Sequence, residues 1–182
     1  MRKEILLAGF GGQGIISIGI LIACAAGKYG GKHVAQAQSY GPEARGGACK
    51  AEVVIDDGEI DYIKTLDPNV FIVMSQLALD QYIGRIDPEK GIVIADSSLV
   101  TDIPSNYRNV YRIPATDIAE KMLGARLAAN IVMFGTFSRI TGYSSAEECK
   151  RAIEDNMAPK FHDLNFKAFE EGVKAAEEQL RL

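Results

Sequence analysis

Short, unbroken apolar runs alternate along this chain with longer stretches in which apolar positions recur every three or four residues. The runs EILLAG (4–9), NVFIVM (69–74), GIVIAD (91–96) and NVYRI (109–113) read as buried strands, because a strand covered on both faces loses its polar alternation. HVAQAQ (33–38) and KAEVVI (50–55) read as two more strands, the second closed by the turn signal DDG at 56–58. Helices are expected over 12–28, in a short stretch between the runs at 69–74 and 91–96, and over 116–123, 126–140, 145–156 and 161–180. Strands alternating with helices indicate an α/β fold, here three α/β/α layers around a mixed, mostly parallel sheet with a glycine-rich turn between the first strand and helix. The strands at 33–38 and 50–55 are joined without a helix, so at least one antiparallel pair is expected. No repeat, low-complexity tract or linker breaks the sequence, which reads as a single domain over residues 1–182.

Two helices differ in what their patterns demand. In the last, Phe166, Phe169, Val173, Ala176 and Leu180 fall on one face and Lys167, Glu170, Lys174, Glu177 and Glu178 on the other, an amphipathic packing helix. The first, IISIGILIACAA (15–26), carries no charge. It is too short to span a membrane, which takes about 20 residues. A helix apolar all round must be covered on more than one side. The sheet covers one; the other falls to another layer of the domain or to a partner subunit, and the reading favours the partner.

Composition narrows the classes. The net charge is −4, from 20 basic and 24 acidic residues, with no Lys/Arg cluster, which argues against a nucleic-acid surface. Cys24, Cys49 and Cys149 are scattered without CxxC spacing, so they frame neither a zinc site nor an iron–sulfur cluster. An odd cysteine count, and an N-terminus that turns to glycine too soon for a signal segment, point to a reducing cytoplasm.

GFGGQG (9–14) satisfies GxGxxG through Gly9, Gly11 and Gly14, between a strand and a helix. The dinucleotide reading needs an acidic residue at the end of the second strand to bind a ribose hydroxyl, and HVAQAQSY has none. Two readings survive. The glycines serve close helix packing and a tight turn, or the amides of Gly11, Gly12 and Gln13 bind an anion such as a phosphate. Gln13, at the helix start, orients either a ligand or the neighbouring loop.

The segment SYGPEARGG (39–47) leaves the second strand at the carboxyl edge of the sheet, where α/β ligands sit, and should lie beside the glycine turn. Gly41-Pro42 and Gly46-Gly47 restrict its backbone and hold Glu43 and Arg45 between them. Arg45 can present a guanidinium fork to a phosphate or carboxylate, or pair with Glu43 in a loop that docks on another subunit. Ser39, Tyr40, Gly41, Glu43, Arg45, Gly46 and Gly47 join Gly9, Gly11, Gly12, Gln13 and Gly14 as candidate binding residues.

GFGGQG followed about 30 residues later by SYGPEARGG resembles the gamma subunit of 2-oxoacid:ferredoxin oxidoreductases. The likeness continues through CKAEVVI (49–55), AANIVMFG (128–135) and LNFKAFEEG (164–172), nearly the whole chain. The wording of the loop is most similar to the 2-oxoglutarate type. The resemblance implies a complex that oxidatively decarboxylates a 2-oxoacid with coenzyme A to an acyl-CoA, carbon dioxide and reduced ferredoxin. Thiamine diphosphate, Mg and iron–sulfur clusters would sit in partner alpha, beta and delta subunits. The thiamine signature, GDG followed by paired asparagines, is missing here, as are cluster cysteines. The chain would then contribute to coenzyme A binding and to assembly, and carry no catalytic residue of its own.

The remaining polar residues offer less. His33 and His162 have no nucleophile or ligand pattern around them and read as surface or capping groups, and Arg108 and Arg112 as solvated. Asp96-Ser97-Ser98 ends a strand at the functional edge and reads as a helix cap. Asn130, in mid-helix, points to a buried hydrogen bond. Two rivals stay open: a free-standing nucleotide-binding domain (a sensor or NAD-dependent dehydrogenase) and a scaffold subunit that binds no small molecule.

Overall fold

The computed structural model describes residues 1–39 and 48–181. Its core is one six-stranded sheet in the order β2-β3-β1-β4-β5-β6. At the centre β1 (Lys3–Phe10) keeps Ile5 to Ala8 fully buried on both faces. β4 (Val70–Val73), β5 (Ile92–Asp96) and β6 (Asn109–Ile113) follow it in parallel. On its other side β3 (Ala48–Asp56) runs antiparallel to both β1 and β2 (His33–Ser39), which makes two antiparallel pairs. Because β2 and β1 share a direction, both end at the same sheet edge. The register pairs Phe10 with Ala48 and Ser39 with Lys50. The chain therefore leaves the sheet at Ser39 and re-enters it at Ala48 on the edge where the glycine turn begins.

The layers are uneven. One face packs against α1 (Ile15–Ala23), α3 (Ala115–Leu123), α4 (Ala129–Thr141), α5 (Ala146–Asn156) and α6 (His162–Leu180). The other is covered by α2 (Gln76–Tyr82) and by Val100, Ile103 and Tyr107 from the segment between β5 and β6.

The first helix departs from its sequence reading in two ways. It starts at Ile15, not at 12, because Gly14 sits in the left-handed region at φ 75° and ends the turn there. It also runs on into a π-helical turn, Cys24–Tyr29. Where the sequence reading favoured a partner subunit as its second cover, α4 and α5 of the same chain pack on it. Ile15, Ile18, Leu21 and Ile22 are buried, and Ile20 alone among its large residues is exposed, at 39%.

α4 is the hub of the helical layer, with every residue from Ala129 to Ser138 buried. It lies directly on the backbone of α6. A β-carbon at Gly135 would stand 2.1 Å from the Phe169 carbonyl oxygen, and one at Gly172 would stand 2.0 Å from that of Val132. Thr136 Oγ1 donates to the Gly172 carbonyl across the same crossing at 3.1 Å. The amphipathic reading of α6 holds except at its end: Phe169 and Ala176 are buried and Lys167, Glu170, Lys174 and Glu178 face solvent, but Leu180, expected on the packing face, is exposed in the last turn.

Candidate functional site

The glycine turn is built from two different demands on glycine. At Gly9 a β-carbon would meet Gln13 Oε1 at 2.5 Å and Ile15 Cδ1 at 2.8 Å, so the strand end must be bare for the turn to fold back on it. Gly12 and Gly14 have φ of 89° and 75°, and Gly14 also presses on Asn130, whose Nδ2 would lie 2.3 Å from an added β-carbon. Gly11 meets neither demand. Its φ is not positive, and a β-carbon there would find open space.

Gln13 is committed inside the chain. Its Oε1 accepts from the Phe10 amide at 2.6 Å, and its Nε2 donates to the Met74 carbonyl at 2.7 Å. The side chain thus ties the turn to the end of β4. Asn130 is buried against Gly14 and makes no side-chain hydrogen bond among the described residues.

Next to the turn opens a cleft of about 390 Å³, walled by Phe10, Gly11, Gly12 and Gln13, by Met74, by Leu99 and Thr116, and by Arg126, Leu127 and Ala129 at the start of α4. It lies at the carboxyl edge of the parallel strands. Thr116 is fixed in its wall by Asp96, which is fully buried and accepts from the Thr116 amide at 3.2 Å and its hydroxyl at 2.5 Å. Asp96 also accepts from the Ser98 amide, and Ser98 Oγ accepts from the Asp117 amide, so the Asp96–Ser98 segment caps α3 as its sequence suggested.

Two residues of the cleft carry chemistry that no local motif announced. Arg126 holds Glu120 at 3.1 Å through one nitrogen and leaves its side chain 60% exposed, with donors to spare. Leu127 is 82% exposed and Phe10 43%, an apolar rim around that guanidinium. Gly11 and Gly12 donate no backbone hydrogen bond among the described residues. Free amides, a guanidinium and apolar walls suit a ligand with an anionic end and a longer uncharged arm. The signal available in sequence was a short one, ARLAAN (125–130), where an arginine and an exposed leucine directly precede an otherwise buried helix.

Of the predicted binding residues, Gly9, Gly11, Gly12, Gln13 and Gly14 gather at this edge, and Ser39 ends β2 on the same edge. Tyr40, Gly41, Glu43, Arg45, Gly46 and Gly47 lie outside the described residues. His162 bonds the Met157 carbonyl at 2.9 Å at the start of α6, His33 is exposed at the start of β2, and Arg108 pairs with Glu89 on the surface. Among the described residues no three His, Cys, Asp or Glu side chains group as a metal or cluster would need, so an iron–sulfur cluster does not fit them.

The sequence profile of the pyruvate ferredoxin/flavodoxin oxidoreductase family matches residues 4–175. The 2-oxoglutarate synthase subunit KorC of Methanocaldococcus jannaschii is 45% identical over 180 residues, covering 98% of this chain and 96% of that one. The pyruvate synthase subunit PorC of the same organism is 32% identical, over 92% of this chain and 93% of its own. The crystal structure of the gamma subunit of a keto/oxoacid ferredoxin oxidoreductase from Geobacter sulfurreducens superimposes with a TM-score of 0.90 at 36% identity, covering 98% of both chains. At the level of fold alone, the chain also matches 31% of a chain of the Magnetococcus marinus 2-oxoglutarate:ferredoxin oxidoreductase, solved with 2-oxoglutarate, coenzyme A and succinyl-CoA bound, at a TM-score of 0.85 and 24% identity. The chain belongs to the pyruvate ferredoxin/flavodoxin oxidoreductase family, as a gamma-type subunit.

Proposed function

We propose that this subunit works in a 2-oxoglutarate:ferredoxin oxidoreductase and supplies part of its coenzyme A site. The substrate assignment is supported by the contrast between two relatives from one organism, 45% identity to the 2-oxoglutarate subunit against 32% to the pyruvate subunit. The complex would join 2-oxoglutarate to coenzyme A, release carbon dioxide and pass two electrons to ferredoxin. Thiamine diphosphate, Mg and iron–sulfur clusters supply that chemistry from the alpha, beta and delta partners. The setting is the cytoplasm; among the described residues no helix is long and apolar enough to cross a membrane.

The observation that carries the coenzyme A reading is the cleft itself. The amides of Gly11 and Gly12 and the Arg126 guanidinium meet the phosphates, and Phe10, Leu99 and Leu127 line the path of the uncharged arm. The chain leaves the sheet at Ser39 and returns to it at Ala48 on the same edge, and Arg45, which lies between them in sequence, is the second cation proposed for the same anionic ligand.

The test is steady-state kinetics of the assembled complex with 2-oxoglutarate, coenzyme A and ferredoxin. Arg126→Ala and Arg45→Ala are each expected to raise the KM for coenzyme A about tenfold or more, the loss of one charge-assisted contact, with the KM for 2-oxoglutarate unchanged. An unchanged coenzyme A KM in both assembled variants would refute the site. The exposed Leu127 and Phe10 favour one alternative, a scaffold edge that only docks on a partner; it predicts instead that the two variants lose assembly with normal kinetics in whatever complex remains.

A further inference from the structure

At the sheet edge opposite the cleft, residues 57–69 connect β3 to β4 without any regular element. Loops of that length without structure are uncommon inside compact domains. This one is held by two carboxylates that rise from within the strands. Glu4 on β1 and Glu52 on β3 are each only 5% exposed. Glu4 Oε2 accepts from the amides of Leu66 and Asp67 at 2.6 and 2.7 Å, while its Oε1 holds Arg2. Arg2 in turn donates to the carbonyls of Tyr62 and Lys64 at 2.9 and 3.1 Å. Glu52 holds the Thr65 hydroxyl and Arg85, and Arg85 Nη2 donates to the Thr65 carbonyl at 2.8 Å. Two buried carboxylates and two arginines thus fix the backbone from Tyr62 to Asp67.

What this frame holds outward is apolar. Tyr62 is 47% exposed, Ile63 53% and Leu66 71%. An exposed apolar side chain is ordinary when single. Here three lie within five residues on a backbone immobilised by buried charge, so little ordering entropy remains to oppose a partner. The rim is net acidic: Glu59, Asp61 and Asp67 are exposed and make no ion pair among the described residues, against one exposed base in the loop, Lys64.

The geometry points to this loop as a docking surface for a companion subunit that offers an apolar pocket ringed by Lys and Arg. Charge decides the occupant. A second copy of this chain meeting the patch about a two-fold axis would set the acidic rim against itself. A basic-rimmed pocket has no such conflict, and it places the partner on the far edge from the cleft, which stays open. The inference rests on the reading of the chain as one subunit of a larger oxidoreductase.

The experiment mixes the purified chain with its companion subunits and follows complex formation by native mass spectrometry and association kinetics. The double variant Ile63→Ser, Leu66→Ser is expected to weaken association about tenfold or more while the thermal midpoint of the isolated chain holds, since both side chains are exposed. Asp61→Lys with Asp67→Lys is expected to slow association and flatten its salt dependence. Any complex that still forms keeps its coenzyme A KM, which separates a failure here from a failure of the cleft. Unchanged association in both double variants overturns the inference. So does loss of a self-dimer of this chain in the apolar variant while the mixed complex forms normally.

Discussion

Gln13 donates its side-chain amide to the backbone carbonyl of Met74 at 2.7 Å, joining the glycine turn to the neighbouring parallel strand across 61 residues of sequence. Its oxygen closes the other half of the clamp on Phe10. Gln13→Ala is expected to leave the Met74 carbonyl buried and unpaired, at about 1–3 kcal/mol. For a chain of this size, each kcal/mol lowers the melting temperature by roughly 2–4 °C, a shift that calorimetry resolves.

The glycines separate stability from binding. Gly14→Ala forces a β-carbon into a left-handed backbone and onto Asn130, and is expected to destabilise by about 2 kcal/mol or more. Gly11→Ala meets open space at an ordinary φ and should stay within about 0.5 kcal/mol of the parent in urea titration. If the cleft takes coenzyme A, the same Gly11→Ala raises its KM, because the methyl group stands where the ligand approaches.

Glu52 sets a pH dependence with a definite sign. Burial pushes its carboxyl up, but the Thr65 hydroxyl, Arg85 and Lys50 outweigh burial and hold it below the ordinary carboxylate range. A carboxyl lowered in the folded state contributes stability that is complete above its unfolded value, about 4.3, and is lost as the pH falls through the folded value. Arg85→Met removes the principal cation from a buried carboxylate and is expected to destabilise by about 3–5 kcal/mol at neutral pH. The stability lost below about pH 4.3, followed by urea unfolding between pH 7 and 3, should then be smaller than in the parent, because without Arg85 the folded carboxyl is held less far below its unfolded value.

Cys149 lies fully buried on α5, and burial pushes its thiol up to about 11, against a smaller opposing pull from Ser138. Reaction with iodoacetamide at pH 8 should be about 100-fold or more slower at Cys149 in the folded chain than in urea, since the thiolate is the reacting form. Cys24 and Cys49 are only partly buried and should label first in the native protein, as peptide mass spectrometry would show.

Much of this architecture was legible one segment at a time. The strand at 109–113 was read to its last residue, and every helix in the sequence reading has a counterpart, because short apolar runs and amphipathic stripes are local signals. The errors arose where distant segments meet. The uncharged first helix announced that it needs two covers, but only the return of α4 and α5 shows that the chain itself provides the second. Gln13 was visible as a polar residue at a helix start; its partner, Met74, depends on β4 lying beside β1. Arg126 and Leu127 belong to the cleft only because α4 begins at the carboxyl edge. The buried anchors of the 57–69 loop did leave a trace: Glu4 opens the apolar run of β1 and Glu52 directly precedes that of β3, and a carboxylate in that position must answer to a partner somewhere in the fold.

The paired contacts of Gly135 and Gly172 have a mechanical consequence. With backbone resting on backbone at two points, and Thr136 bonded across them, α4 can neither roll nor slide along α6 without collision. The cleft wall formed at the head of α4 is therefore stiff, and a hinge between these two helices is closed off. Whatever opening and closing accompanies a catalytic cycle must carry these two helices as one rigid block, moving against its neighbours.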